Sequence, residues 1–208
     1  MSKRILSLGF LLGLFWSTVA VVAQEQASKP TFKEGDTWQF NITRKAGSSY
    51  VSSTDFNEGM YELMISYGNV KLYTLEGGKK EELVINQEGP TQALLTLIGK
   101  SDQRPNLKFP LSVGQKWAYS FRQKPAGARR DIEYSVEVKV AGIEQVTTPA
   151  GTFNAYRLVA DTTWGRQGHS TSTYFYSPET RSMVKRSGRN ENTGGTVETE
   201  LVKFTPGS

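Results

Sequence analysis

The single histidine of the chain is the first residue to consider for catalysis. His169 stands in the polar, glycine-flanked stretch 165–170, which predicts a loop, and Ser170 directly follows it. A serine nucleophile and its histidine base must face each other across a site, which sequence neighbours on one loop do not. A zinc site needs several converging imidazole, thiolate or carboxylate ligands, and the chain has no cysteine. The sequence therefore predicts no catalytic residue, no metal site and no cofactor.

Paired carboxylates are the remaining catalytic candidates. Glu133 with Glu137, and Glu198 with Glu200, share a face of their strands if these segments alternate. A glycosidase needs two carboxyl groups about 5 to 9 Å apart. The same spacing is typical of a solvated strand face, and no aromatic platform for a sugar is specified beside either pair. We therefore favour a solvated strand face as the role of these glutamates over the catalytic pair of a carboxylate-dependent hydrolase.

Aromatic side chains at alternate positions offer a different kind of site. Three segments carry them on one face of a strand, around residues 38–42, 117–121 and 174–176. Large aromatics on one face of a sheet are typical of a core. If the sheet is curved and incompletely covered, the same concave face becomes a pocket for an acyl chain or another apolar ligand. The candidate ligand-binding residues are Trp38, Phe40, Trp117, Tyr119, Phe121, Tyr174 and Tyr176.

These residues must be positioned by strands, because the chain alternates with period 2 almost throughout. Residues 90–98 fit either a short helix or a further strand, and residues 148–151 and 177–181 predict hairpin turns at their prolines. The pattern predicts an all-β fold, an antiparallel meander forming a curved sheet or a (half-)barrel. Strands are expected at 37–43, 61–67, 70–75, 81–87, 116–122, 133–143, 152–163, 170–176, 183–187 and 196–204.

An internal repeat is the clearest sign of organisation within the meander. The pattern Gly-x-x-Trp-x-aromatic-x-apolar occurs at residues 35–42 and again at 114–121. Two duplicated halves, 33–105 and 106–208, would place the tryptophans at equivalent interior positions. Chance is the alternative, because a glycine before an alternating aromatic strand is common in β proteins. Further pairs at a similar spacing are Tyr61 with Tyr134, Gly68 with Gly142 and Gly77 with Gly151.

The first residues predict a secretory signal peptide. Lys3 and Arg4 precede the apolar run 5–22, and small residues end it at Ala23. An uncleaved membrane anchor is the competing interpretation, since an apolar run of about 18 residues is near the lower limit for crossing a bilayer. Glycine, serine and threonine dilute the run, so residues 1–23 are expected to be removed by cleavage after Ala23. Residues 24–208 then form a single β domain in the periplasm or outside the cell, with no transmembrane span.

Net charge argues against nucleic acid as a partner. The chain carries +5, and without Lys3 and Arg4 the mature part carries +3. Nucleic-acid binders show a concentrated basic stripe interleaved with aromatics. The densest basic stretch is predicted to be a solvated strand face, which is favoured over a contact with phosphate or an anionic lipid. Its members are Arg181, Lys185, Arg186 and Arg189.

Three motifs stand in the C-terminal half of the chain. They are Phe109-Pro110-Leu111-x-Val113-Gly114-x-x-Trp117, Val140-x-Gly142-x-Glu144-x-Val146-x-x-Pro149-Ala150-Gly151-Thr152-Phe153, and Tyr174-x-Tyr176-Ser177-Pro178-Glu179 followed by Val184-Lys185. In these residues the chain resembles a widespread family of secreted bacterial proteins of unknown function. The resemblance implies a periplasmic or exported β-sheet protein, similar to the half-barrel of the lipoprotein-localisation carriers. It implies no catalytic residue.

Three classes of function follow. The first is a non-catalytic exported protein of the cell envelope that binds a lipid, another apolar ligand or an envelope component. The second is a structural or interaction protein that acts on an envelope protein partner through its surface. The third is a carboxylate-dependent hydrolase. The absence of a catalytic constellation in the sequence favours the first.

Overall fold

The computed structural model describes residues 26–45, 58–85, 90–101, 104–124 and 129–208. The predicted signal peptide and its cleavage site lie outside these ranges. The elements within them are β1 (Gln26–Ala27), β2 (Thr37–Lys45), β3 (Gly59–Ser66), β4 (Asn69–Glu76), β5 (Lys79–Leu83), α1 (Pro90–Leu97), β6 (Leu111–Ser112), β7 (Lys116–Gln123), β8 (Ile132–Thr148), β9 (Gly151–Trp164), β10 (Gly168–Ser177), β11 (Ser182–Asn190) and β12 (Thr196–Thr205).

One large antiparallel sheet dominates this fold. Its ten strands lie in the order β5-β4-β3-β2-β12-β11-β10-β9-β8-β7, and β1 pairs with β6 in a separate ribbon. Neighbouring strands are consecutive in the chain except at β12 and β2, which pair through Thr199 and Ile42. The prediction of an all-β antiparallel meander that forms a curved sheet is confirmed.

The sheet is open and does not close into a barrel. In the described part of the chain its edges are β5 and β7. The β5 sequence KKEEL exposes its first four residues, all charged. Charged side chains on a short edge strand discourage further strand pairing, whereas a barrel must pair every edge. The sheet therefore curves without closing.

The short segment that allowed two interpretations is the helix α1. Ala93, Leu94, Leu97 and Ile98 recur at helical spacing, and the three larger side chains are buried. Leu94 and Leu97 belong to the same buried cluster as Val197, on one face of the large sheet. We call this face, against which α1 packs, the inner face. Because α1 covers only part of it, the rest of the inner face is left for a site.

The two Gly-x-x-Trp motifs form strand-initiation turns with the same backbone geometry. Gly35 has a φ of 83° and Gly114 a φ of 87°. The Gly35 amide donates to the Ile65 carbonyl at 2.9 Å, and the Gly114 amide donates to the Val140 carbonyl at 2.8 Å. In both turns the partner residue donates back, at 2.9 Å, to the carbonyl of the residue after the glycine. The two turns are therefore locally equivalent.

Beyond the first hairpin the two halves differ. The motif tryptophan lies opposite Leu63 in the first half and opposite Val138 in the second. Gly68 lies in the turn between β3 and β4 with a φ of 73°, whereas Gly142, aligned with it in sequence, lies inside β8. A duplication of the whole halves stays a prediction.

Candidate functional site

A small cleft opens on the inner face between α1 and the strands β7 to β11. We call it the inner cleft, and its main lining side chains are Arg104, Tyr119, Tyr134, Trp164, Tyr174 and Arg186. Its cavity volume is about 60 Å³. A water molecule needs about 15 Å³ of such space, so the cavity has room for about four waters. The inner face is therefore neither fully packed nor wide enough to enclose an acyl chain.

A row of aromatic rings forms one wall of the inner cleft. Phe121, Tyr134 and Trp164 lie directly opposite one another on β7, β8 and β9. The centroid distances are 6.3 Å from Tyr119 to Phe121, 5.0 Å from Phe121 to Tyr134 and 5.6 Å from Tyr134 to Trp164. A Cβ atom at Gly168 would lie 2.3 Å from the Trp164 indole, so only glycine fits beneath this ring. The rings of the row pack against one another.

Arg104 places a buried positive charge beside this row. It follows α1 in the chain, and its backbone amide donates to the Ser101 hydroxyl at 3.2 Å. Its guanidinium donates to the Gln123 side-chain oxygen and lies 4.7 Å from the centre of the Phe121 ring. The residue is only 8% exposed. Burying a guanidinium costs free energy, which contact with a ring face offsets in part.

Arg186 brings a second guanidinium from β11. Its central carbon lies 5.5 Å from the centre of the Tyr174 ring, which faces it on β10. A Cβ atom at Gly188 would come within 3.1 Å of the Ser172 hydroxyl oxygen and 3.5 Å of the Arg186 guanidinium. A glycine at this strand position therefore avoids crowding Ser172, whereas the distance to the guanidinium is that of an ordinary contact.

The interpretation of the basic stretch as one solvated strand face is wrong for part of it. Arg181 lies in the turn before β11 and donates to the buried carboxylate of Asp36 at 2.6 Å. Lys185 donates to Glu200 at 2.7 Å. Successive strand residues point to opposite faces, so Lys185 and Arg186 cannot share one. Arg186 lies on the inner face for this reason.

The Tyr119 side chain lines the inner cleft together with Arg104 and Arg186. It forms a hydrogen bond with the Asn106 side-chain oxygen. Burial raises the pKa of Tyr119 well above its usual value, and nearby Tyr174 adds to this, while the charges of Arg104 and Arg186 lower it in part. Tyr119 is therefore a protonated hydroxyl donor at neutral pH. The inner cleft thus combines two guanidinium groups with a neutral hydroxyl, whose proton is donated to Asn106.

The predicted ligand-binding aromatics separate into three groups. Tyr119, Phe121 and Tyr174 line the inner cleft. Trp38, Phe40 and Tyr176 are each fully buried, and the Trp38 indole donates to the Thr180 carbonyl at 2.7 Å. These three pack in the core and do not line the cleft.

Trp117 belongs to neither of those groups. It is half-buried on the edge strand β7, and its indole donates to the Pro105 carbonyl at 2.9 Å. The expectation of an interior indole at both motif tryptophans therefore describes Trp38 better than Trp117.

The catalytic candidates lie on the outer face, away from the inner cleft. His169 stands near the start of β10 rather than in a loop, with its Nε2 3.8 Å from Asp161 Oδ1. Glu133 lies 3.6 Å from Arg122 on the side of β7 and β8 opposite the aromatic row. No acidic side chain is among the described residues that line the inner cleft. In the same ranges no cluster of histidines and carboxylates could hold a metal ion.

Sequence reasoning missed part of the site. Strand alternation could have placed three of the missed residues on the inner face. Arg186 follows Lys185, and Tyr134 and Trp164 follow polar residues in long alternating strands, so each points to the face opposite its predecessor. Arg104 and Asn106 lie in an irregular segment after α1, which has no periodicity to place them.

Comparisons with known proteins show likeness of architecture only. No protein-family model matches the chain, and no curated protein sequence matches it significantly. A lipoprotein from Escherichia coli described as hypothetical, YmcC, is 12% identical with a TM-score of 0.47, and 83% of this chain aligns with 85% of that one. A Bacteroides fragilis protein described as exported, with a YmcC-like fold, is 12% identical with a TM-score of 0.41 over 88% of this chain and 100% of that one.

No function is carried over from these structures. The resemblance of the C-terminal motifs to secreted bacterial proteins stays a prediction. Among the residues that the structure describes, no helix has the length and hydrophobicity to cross a membrane.

Proposed function

We propose that the mature chain is an exported, non-catalytic binding protein of a bacterial cell envelope and that the inner cleft is its ligand site. Export rests on the signal-peptide pattern of residues 1–23. The observation that carries the binding function is the convergence of Arg104, Arg186 and the Tyr119 hydroxyl beside the aromatic row. A concave site with an apolar wall and a few converging polar groups is typical of small-molecule binding.

The lining of the inner cleft favours binding over catalysis. Its charged members are arginines, which stay protonated and transfer no proton at neutral pH. Burial raises the pKa of the Tyr119 hydroxyl, so this group also keeps its proton at neutral pH and is a poor general base. These groups can hold and orient a ligand.

The cavity volume limits how an apolar ligand could be held. About 60 Å³ is well below the roughly 150 Å³ of an apolar cavity that takes up benzene. An acyl chain would therefore lie along the aromatic row towards the opening instead of being enclosed.

Native mass spectrometry of the protein purified from its own envelope tests this function. We expect a species heavier than the mature chain by the mass of a small molecule. Tyr119→Ala should lose that species, because it removes both a ring of the row and the central hydroxyl.

Tyr73→Ala is the matched control, since Tyr73 lies on β4, far along the sheet from the inner cleft. A wild-type chain that carries no small molecule, but copurifies with a protein, would contradict the proposal and favour action through the outer surface.

A further inference from the structure

A second groove opens beside the C-terminal end of α1. Its volume is about 570 Å³, and its walls come from described residues of the segments 29–32 and 98–109. We propose that this groove, which we call the basic groove, docks the protein on a membrane surface that contains anionic lipids. The proposal rests on export of the chain but makes no use of a ligand in the inner cleft.

Positive charge is concentrated in the two segments that form the basic groove. They hold one acidic residue, Asp102, against four basic residues, which are Lys29, Lys100, Arg104 and Lys108. Their net charge of +3 equals that of the whole mature chain, so the remainder of the mature chain is neutral on balance. A charge asymmetry of this kind directs the positive potential of a protein to one side, where it attracts an anionic surface.

The three lysines of the basic groove are exposed, and within the described ranges none of them pairs with a carboxylate. The basic residues of β11 differ in this respect, because Lys185 pairs with Glu200 and Arg189 with Glu191. Each unpaired ammonium group near an anionic membrane strengthens the attraction about fivefold. Three such groups on one surface are therefore enough for a measurable preference for anionic lipid.

Local packing fixes the positions of these lysines. Gly99 ends α1 with a φ of 66°, and the Nζ atom of Lys100 then lies 4.9 Å from the centre of the Phe32 ring. This contact joins the two segments of the basic groove. The Lys108 carbonyl accepts a hydrogen bond from the Gln115 side chain at 3.1 Å, which holds its segment to the start of β7. The charges are thus presented together by one packed surface.

Partly exposed apolar groups stand among the lysines. The Phe32 ring packs edge-on against Trp38 with a centroid distance of 5.7 Å, and Phe109 packs against Tyr176 at 5.4 Å. Both phenylalanines are only half-buried, as is Pro30, so part of each side chain faces the groove. Lysines beside apolar groups suit the headgroup region of a bilayer, where the ammonium meets phosphate and the apolar groups meet the first acyl carbons.

The path of the chain favours a membrane over an acidic protein as the partner. Ala27 pairs with Leu111, so the start of the described chain is fixed next to the basic groove. Gln26 is three residues from Ala23, where the predicted signal peptide ends. Three residues span at most about 10 Å. A signal peptide inserted in a bilayer therefore keeps the basic groove close to the membrane surface, and the lysines retain the contact after cleavage.

Vesicle sedimentation of the mature protein tests the proposal. One set of vesicles is pure phosphatidylcholine, and the other contains phosphatidylcholine and phosphatidylglycerol in equal parts. We expect the anionic vesicles to be bound at least about tenfold more tightly than the neutral ones, as three unpaired lysines supply. Raising the salt concentration should weaken this binding, because ions screen the attraction.

Two triple variants with the same change in net charge locate the contact. The groove variant replaces its three lysines: Lys29→Gln, Lys100→Gln and Lys108→Gln. The control replaces three exposed lysines at the opposite end of the sheet, where β2 and β7 end and β5 begins: Lys45→Gln, Lys79→Gln and Lys124→Gln. The groove variant should lose at least about tenfold in affinity for anionic vesicles, and the control less than about threefold, since distant charges are screened. Thermal unfolding verifies that both variants keep the fold.

Three results would overturn the proposal. Equal binding to neutral and anionic vesicles would remove the role of charge. Equal losses in the two triple variants would show that net charge, and not the basic groove, directs binding. A protein that binds neither kind of vesicle, but copurifies with an acidic protein that the groove variant loses, would have a protein partner at this surface. None of these results bears on the inner cleft, whose function is tested separately by Tyr119→Ala.

Discussion

The basic residues of β11 divide their charges between the two faces of the sheet. Lys185 bonds Glu200 and Arg189 pairs with Glu191 on the outer side, whereas Arg186 lies over the Tyr174 ring. The pleat of a strand makes this division unavoidable for adjacent residues. The basic residues of β11 therefore place charges on the solvated outer face and one charge in the inner cleft.

The two motif tryptophans should contribute unequally to stability. Trp38→Ala should lower the free energy of unfolding by about 3 to 5 kcal/mol, because the ring is fully buried and stacks on Phe204 at 5.8 Å. Trp117→Ala should cost about 1 to 2 kcal/mol, since part of its ring already contacts water. Urea unfolding of both variants measures the difference. Equal losses would show that Trp117 is as deeply packed as Trp38.

The sequence predicts which face of a strand a side chain points to better than it predicts what packs against that side chain. Alternation placed Tyr119, Phe121 and Tyr174 together on one face, and the structure has all three in the inner cleft. The same alternation also put Trp38 and Tyr176 among the candidate ligand-binding residues. A period of 2 indicates which face a side chain is on, but not whether another element covers that face. Whether a neighbouring element packs on a ring depends on long-range pairing, which a local pattern does not contain.

The strand-initiation turns are the elements that the two halves share most closely. In each turn a side chain also accepts from the backbone amide three residues earlier, Asp36 from Lys33 at 2.7 Å and Gln115 from Ser112 at 3.2 Å. An aspartate in the first turn and a glutamine in the second make the same hydrogen bond. The shared unit is thus a turn geometry that fixes the start of β2 and of β7.

Glycine replacement tests whether the two turns are equivalent. Gly35→Ala and Gly114→Ala should each cost about 1 to 2 kcal/mol, because a left-handed φ is unfavourable for alanine although a Cβ meets nothing closer than 3.7 Å. Gly142→Ala is the control, since Gly142 lies in a strand with open space around it. Chemical denaturation measures all three. A loss at only one turn would contradict their equivalence.

Strands were predictable where the alternation of apolar and polar residues was regular over a long segment. The ten strands of the large sheet each overlap a predicted strand, because apolar and polar residues alternate along most of them. The charged edge strand β5 is the exception. Residues 90–98 stayed ambiguous in sequence because a short apolar run suits a strand or a helix equally. Packing on the inner face, through Leu94 and Leu97, selects the helix.

At the scale of the whole molecule, the inner face is unevenly covered. Near β2 and β12 it is closed by α1 and by buried aromatics such as Trp38. Towards β7, β8 and β9 it opens into the inner cleft. The pairing of β12 with β2 joins segments from opposite ends of the described chain, and no local pattern predicted it. This arrangement leaves the inner cleft at one end of the core.

The indole signals of the mature chain in a ¹⁵N–¹H correlation spectrum test the central claim most directly. The tryptophans after residue 23 are Trp38 in the core, Trp117 at the edge and Trp164 in the inner cleft. During titration with 2-naphthyl phosphate, and separately with 2-naphthol, the Trp164 indole signal should shift saturably with at least one probe while the Trp38 signal stays in place. A Trp164 signal that stays fixed while either probe binds elsewhere would contradict the assignment of the inner cleft as the ligand site.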